Sequence, residues 1–253
     1  MQPEVITHLI DLNRQFYQTF GAAFAATRRR IQPGIRQVLG RIPPAGRWLD
    51  LGCGSGSLAV EWARAGRSGA YVGLDFSRAL LEEAQTAVQT GAPHHPGLEI
   101  SFQLTDLTQP DWDASMGSQT FDGALSFAVF HHLPAMRLRL QALSALRRRL
   151  PAGALFYHSQ WQFQNSPRLM ERVQPWALVG LSDADVEPND YLLDWRYALP
   201  GQPEQVGYRY VHLFTREELA ALASQAGFEV VDEFNSDGRE GNLALYQAWR
   251  ALD

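Results

Sequence analysis

Arg47-Trp48-Leu49-Asp50-Leu51-Gly52-Cys53-Gly54-Ser55-Gly56 runs a short apolar strand straight into three alternating glycines. Residues 58–65 then resume helical periodicity, and Gly66 ends the helix. A strand, a glycine turn and a helix in succession bring free backbone N–H groups and the positive end of a helix dipole close to a ligand. Asp75 lies 19 positions after Gly56, at the end of the next predicted strand. A carboxylate there can accept two hydrogen bonds from a vicinal diol. Phe76 and Ser77 follow in the same turn. The dinucleotide pattern G-x-G-x-x-G, counted from Gly52, fails at Ser57. The spacing is instead D-x-G-x-G-x-G from Asp50, which places Asp50, Gly52, Cys53 and Gly54 at the candidate ligand site together with Asp75, Phe76 and Ser77.

The alternation continues outward. Strands are predicted at 71–74, 100–104, 121–127 and 154–158, with helices at 78–90 and 134–150. Strands alternating with helices imply βαβ units and a parallel sheet covered on both faces. Before the glycine turn, Leu9, Leu12, Phe16, Phe20 and Phe24 form an apolar helical stripe. A second helical stretch at 35–39 is closed by Gly40 and Pro43-Pro44. Towards the other end, Thr215-Arg216-Glu217-Glu218 has the form of a capping box opening a helix to 226, with Gly227 as its stop. Residues 228–234 and 243–249 then read as an antiparallel hairpin at one sheet edge. Residues 161–208, rich in Pro, Trp, Asp and Gln, break the rhythm; they read as an insertion with one helix near 167–173 and long loops.

Composition bounds the rest. Hydrophobic residues make up 45% of 253 and charged residues 19%, enough to build a real core. No apolar run reaches the length of a membrane span, and the first residues lack the basic stretch of a secretory signal, so a cytoplasmic protein is expected. The single cysteine, Cys53, excludes an internal disulfide and a multi-cysteine metal centre, and no metal site is expected. Net charge is −5, and all 22 basic residues are arginine. The acidic balance argues against non-specific nucleic-acid binding by the whole surface. The arginines on the 134–150 helix (Arg137, Arg139, Arg147, Arg148, Arg149) scatter around it and read as a solvated face.

The glycine pattern in this strand–turn–helix context resembles motif I of the class I S-adenosylmethionine methyltransferases. The resemblance implies a Rossmann-like α/β fold: a mostly parallel seven-stranded sheet, helices on both faces and an antiparallel C-terminal hairpin. Thr105-Asp106-Leu107 is similar to the acidic turn that family places beside the adenine amine, and Leu125-Ser126-Phe127 to the strand passing beneath the methyl donor. More narrowly, several segments resemble the tRNA wobble-uridine carboxymethyl methyltransferases, both stand-alone and fused to an AlkB-type oxygenase. These are Phe16-Tyr17 through Phe24-Ala25-Ala26-Thr27-Arg28, Val129-Phe130-His131-His132-Leu133, Gln174-Pro175-Trp176, Arg209-Tyr210-Val211-His212-Leu213-Phe214 and Gly241-Asn242-Leu243. The resemblance implies S-adenosylmethionine as cofactor, with Tyr17 and Arg28 placed beside it, and either tRNA or a small molecule as methyl acceptor. It also implies a small activating subunit for the eukaryotic relatives.

One methyltransferase domain over 1–253 is expected, with 1–45 as a helical lid and 161–208 shaping the acceptor site. Arg28 suits a carboxylate, either that of the acceptor or that of the cofactor's methionine. His131, at the carboxyl edge of the fourth strand, is the candidate catalytic residue, acting as a base or orienting the acceptor. His212 and Tyr210 either close over the acceptor or pack in the core. Trp161 either stacks on a ring or packs. Cys53 reads as a small filler.

Overall fold

The computed structural model describes residues 1–26, 30–93, 95–198 and 204–253, apart from the side chains of 22 and 24–26. It opens with two helices, α1 (Pro3–Ala26) and α2 (Pro33–Leu39). The βα alternation follows as β1 (Ala45–Leu51), α3 (Ser57–Arg64), β2 (Ser68–Asp75), α4 (Arg78–Gly91), β3 (Leu98–Leu104), β4 (Gly123–Phe127), α5 (Met136–Arg148) and β5 (Leu155–Trp161). After an interposed segment come α7 (Arg216–Gln225), β9 (Phe228–Ser236) and β10 (Ala244–Ala251). The seven strands stand in the order β3-β2-β1-β4-β5-β10-β9. β10 alone runs antiparallel to its neighbours, inserted between β5 and β9. The closing hairpin therefore contributes a parallel strand to the sheet edge and an antiparallel one inside it.

Period-2 alternation divides the strand residues between two cores. Leu49, Leu51, Val72, Ala124 and Phe156 pack with α5 and α7 on one face. Trp48, Tyr71, Leu125 and Tyr157 pack with α2 and α3 on the other. Both faces are covered, which is why the central strands read as continuous apolar runs. Half of the predicted capping box is present: the Thr215 hydroxyl accepts the Glu218 N–H at 3.1 Å, while the Glu218 carboxylate turns to His212 and Arg139. No helix among the described residues is long and apolar enough to cross a membrane.

The interposed segment departs from expectation. It holds α6 (Pro167–Met170) and then a three-stranded antiparallel sheet of β6 (Val173–Gln174), β7 (Asp190–Tyr197) and β8 (Gln205–His212). The acids and prolines around 183–190 masked β7, yet its own residues are suited to a strand. Leu192 packs with Leu9, Trp176 and Tyr210, and Leu193 with Phe163 and Val211. The acids are satisfied internally. Asp194 is gripped by Arg172 and Arg196 at 3.4 and 2.9 Å. Asp190 accepts from the Tyr210 hydroxyl at 2.7 Å and pairs with His212 at 2.6 Å.

A second correction concerns α5. Arg139 is not part of a solvated face; it is fully buried. It donates to the Leu133 carbonyl at 3.0 Å, the Tyr210 hydroxyl at 2.8 Å and Glu218 at 3.2 Å. His212 and Tyr210 belong to this network and do not line the cavity described below. Arg139 thus ties α5 to the second sheet and α7 through one buried cation. Removing one partner of such a set leaves buried charge uncompensated. Arg139→Ala should therefore cost about 3–5 kcal/mol of folding stability, read by urea denaturation; Arg137→Ala, on the exposed side of the same helix, should cost little.

Candidate functional site

The glycine turn is held from β2. The Leu74 carbonyl accepts the N–H groups of Gly52 and Cys53 at 2.7 and 2.9 Å. The Asp75 carboxylate accepts from the Gly54 N–H at 3.0 Å and the Ser77 N–H at 2.9 Å. Two of the glycines are required sterically. Gly52 has φ +76°, and a Cβ there would meet Val129 at 2.3 Å. Gly56, also at +76°, would meet Ala84 at 2.8 Å. The turn is thereby fitted against the loop after β4 and against α4 at once.

The turn forms one wall of a cavity of about 660 Å³ at the carboxyl ends of β1, β2 and β4. This is where open α/β sheets bind ligands. Most of the predicted residues meet there: Tyr17, Asp50, Gly52, Cys53, Gly54, Asp75, Phe76, Asp106, Leu107, Phe127 and His131 all line it. Ser77 stands one step behind the wall, capping α4 with its hydroxyl. Arg28 and Thr27 lie outside the described residues.

The cavity has an acidic end. Burial pushes the Asp50 carboxyl up to about 7; a hydrogen bond from the Tyr71 hydroxyl works against this, and the neighbouring Asp75 charge adds to it. Asp75 is raised by burial, partly offset by the N–H groups of Ser77 and Gly54. Burial also pushes up the Cys53 thiol, consistent with a small packing residue. Asp106 differs. Burial works to raise it, but the Thr108 hydroxyl and N–H and the Arg14 guanidinium together hold it below the usual range. Thr108 closes a local turn on Asp106, so the acid caps its loop as well as facing the cavity.

The other end carries cationic and aromatic groups. Arg209 is 4% exposed. Its guanidinium lies 5.1 Å from the Trp161 ring centre and 5.4 Å from that of Phe16. Burial lowers its pKa, and the Tyr17 hydroxyl supports the charged form. His131 is buried, with its ring 4.3 Å from His132 and 6.3 Å from Trp161. His132 Nδ1 faces the Tyr210 carbonyl at 3.2 Å, where it must donate, and its Nε2 lies 2.9 Å from the Tyr17 hydroxyl.

Helix α1 closes the cavity with one face. Asn13 donates to the carbonyls of His132 and Tyr210 and accepts the Tyr210 N–H at 2.8 Å. Arg14 pairs with Asp106. Tyr17 reaches His132 and sets its ring edge-on to Phe76 at 5.8 Å. Positions 13, 14 and 17 share a helical face. Asn13 and Arg14 escaped the sequence reading, which followed the apolar stripe; their spacing beside Tyr17 was the available signal. Arg209 was noted only inside a motif, because nothing local distinguishes a buried arginine from an exposed one.

A family model described as a methyltransferase domain matches residues 24–233. The chain belongs to this methyltransferase family, and its sheet is the Rossmann-like sheet of class I methyltransferases. A methyltransferase of Encephalitozoon cuniculi (strain GB-M1) is 30% identical over 221 residues, covering 86% of this chain and 87% of the relative. The tRNA (carboxymethyluridine(34)-5-O)-methyltransferase of Schizosaccharomyces pombe is 26% identical over 235 residues, covering 86% and 89%. Among solved structures, S-adenosylmethionine-bound CalS10, an amino pentose methyltransferase from Micromonospora echinaspora, superposes with a TM-score of 0.61 at 22% identity, covering 91% of this chain and 97% of that one.

Two buried groups give opposed pH dependences. Folded Asp50 keeps its proton up to about 7, against 3.8 ordinarily. Its stabilising contribution is present below 3.8 and lost as pH rises to about 7. Burial holds His158 at about 3, against 6.5 ordinarily. Its contribution is present above 6.5 and lost as pH falls toward 3. Relative to the parent, Asp50→Asn should gain stability as pH rises from about 4 to 7, and His158→Gln should lose it from about 4 to 6.5. Urea denaturation of the ligand-free protein at pH 4.5 and 7.5 checks both signs.

Proposed function

We propose that this protein is an S-adenosylmethionine-dependent carboxyl methyltransferase, and that its acceptor is the carboxymethyl group of a tRNA wobble uridine. The observation that carries the reading is the polarity of the cavity: the buried acids Asp50 and Asp75 at the glycine turn, and on another wall the buried Arg209 guanidinium between aromatic rings, whereas Arg14 is paired with Asp106 and Asp237 is held by Gly34 and Tyr246. The acids suit a cationic cofactor and the Arg209 guanidinium an anionic acceptor.

The residues present fit the cofactor. Asp75 retains acceptor capacity for a ribose diol beyond its two backbone bonds. Asp106 offers its carboxylate to an adenine amine beside Arg14. Asp50 and the glycine turn suit the ammonium and sulfonium end. Phe76, Leu107 and Phe127 supply apolar surface, and Tyr17 closes over them from α1. When bound, the cofactor supplies a methyl group already activated by the positive charge on sulfur.

A carboxylate acceptor is ionised at neutral pH and needs no general base. What it needs is orientation and removal from water. Arg209 supplies a charge-assisted donor in a desolvated setting. His131, beside Trp161, completes the acceptor wall as an orienting donor. Residues 1–45 act as the lid, with Asn13, Arg14 and Tyr17 as its latch. Residues 161–208 shape the acceptor end through Trp161 and the second sheet.

Net charge of −5 and the absence of lysine favour a second reading, a small carboxylate as acceptor. Incubation with methyl-labelled S-adenosylmethionine and either total tRNA or a small-molecule extract separates the two. The expected result is label in tRNA that mild base releases. Label in small molecules alone would favour the second reading, and base-stable label in tRNA would overturn ester formation. Turnover by this chain alone would show that no activating subunit is needed.

A further inference from the structure

A second cavity of about 410 Å³ adjoins the first, and Trp161, Leu169 and Arg209 line both. Its remaining wall comes from α6, the turn after it and β7, which bring Arg168, Arg172, Trp195 and Arg196 to one surface. Four guanidinium groups thus face a space that a single carboxylate, Asp194, also lines. Asp194 is 4% exposed and bridges Arg172 and Arg196. Arg196 has a further, outer neighbour in Glu204 at 3.5 Å. Arg168 is exposed and enters no ion pair among the described residues. On a protein of net charge −5 this is a local concentration of positive charge. It begins at the acceptor end of the methyl-transfer cavity.

We propose that this second cavity binds the phosphodiester backbone of single-stranded RNA next to the acceptor nucleotide, with Arg168, Arg172 and Arg196 as phosphate contacts. The inference rests on the RNA reading above and extends it to the path of the strand. Guanidinium groups pair with phosphate oxygens through paired N–H donors. Aromatic faces set among them distinguish a nucleic acid from an acidic peptide, because bases stack and carboxylate side chains do not. Trp161 lies on the boundary between the two cavities. Trp195 lies at the far side, its ring parallel to Tyr197 at 8° and 5.3 Å and braced edge-on by Phe16 and Phe20 of α1. A concave pocket reached through one shared wall suits an extended loop; a duplex presents its phosphates on a convex surface too broad to enter.

The test is fluorescence anisotropy of a labelled, unmodified anticodon-type RNA hairpin across a salt series. It uses the parent chain, the R168Q/R196Q variant and a control variant of equal charge change, R64Q/R250Q, whose arginines line neither cavity. Arg172 remains in the first variant to pair with Asp194. The slope of log affinity against log salt should fall by about 1.4 in R168Q/R196Q, about 0.7 for each lost phosphate contact. The control should keep the parent slope, and affinity for S-adenosylhomocysteine should be unchanged in all three. Equal binding by parent and R168Q/R196Q, equal loss in the control, or no binding by the parent would each overturn the proposal. In a parallel methylation assay, carboxymethyluridine-bearing tRNA that binds through these arginines but is never methylated would leave the groove standing and remove the acceptor assignment. Such tRNA methylated equally by parent and R168Q/R196Q at low RNA concentration would do the reverse.

Discussion

The Asp75 carboxylate is the fixed point of the site. It sits buried at the end of β2 and accepts N–H groups from both sides, Gly54 of the glycine turn and Ser77 of the α4 cap. Leu74, one residue earlier, takes the N–H groups of Gly52 and Cys53 on its carbonyl. The turn between β1 and α3 therefore owes its shape to the end of the neighbouring strand. Gly52 allows the turn to lie against Val129, and Gly56 allows it to lie against Ala84. One carboxylate thus links β2, the turn and α4, while the turn itself touches the loop after β4, where His131 and His132 stand. Acidic and cationic ends of the cavity are held in register by these contacts.

The second support is α1. Its polar face carries Asn13, Arg14 and Tyr17, which reach the β8 backbone, the loop after β3 and the loop after β4 respectively. Its apolar face buries Leu9 against Trp176, Leu192 and Tyr210 of the second sheet. That sheet is held in turn by Arg139, whose partners lie on β7, β8 and α7. Cavity roof and second sheet are consequently one connected assembly: displacing α1 breaks contacts at Asp106 and at the histidine pair together.

The sequence carried the main sheet clearly, because each of its devices is local. The glycine turn, Gly66 and Gly227 as helix stops, and the Thr215 cap all act within a few residues, and the spacing from Asp50 to Asp75 spans a single βαβ unit. The second sheet was hidden for a physical reason. Asp190 and Asp194 look like loop residues until the arginines and the histidine that neutralise them are seen, and apart from Arg196 on β7 itself those partners come from β8, α5 and the turn after α6. Arg139 was misread for the mirror reason: it looks like surface charge until its buried acids are found. Arg14, Asn13 and Arg209 complete the cavity through contacts 92, 197 and 193 residues away along the chain, the last with Phe16. No periodicity or spacing encodes such pairings.

The account stands or falls on the cofactor lying across the glycine turn with its ribose on Asp75. Calorimetric titration of S-adenosylhomocysteine into the parent chain and Asp75→Ala tests this most directly. Loss of charged hydrogen bonds worth about 1.5–3 kcal/mol each predicts weakening by at least roughly tenfold. The far-UV spectrum and the stability of the α5–α7 face should be retained. Equal affinity in the two proteins would contradict the account and move the cofactor away from β2.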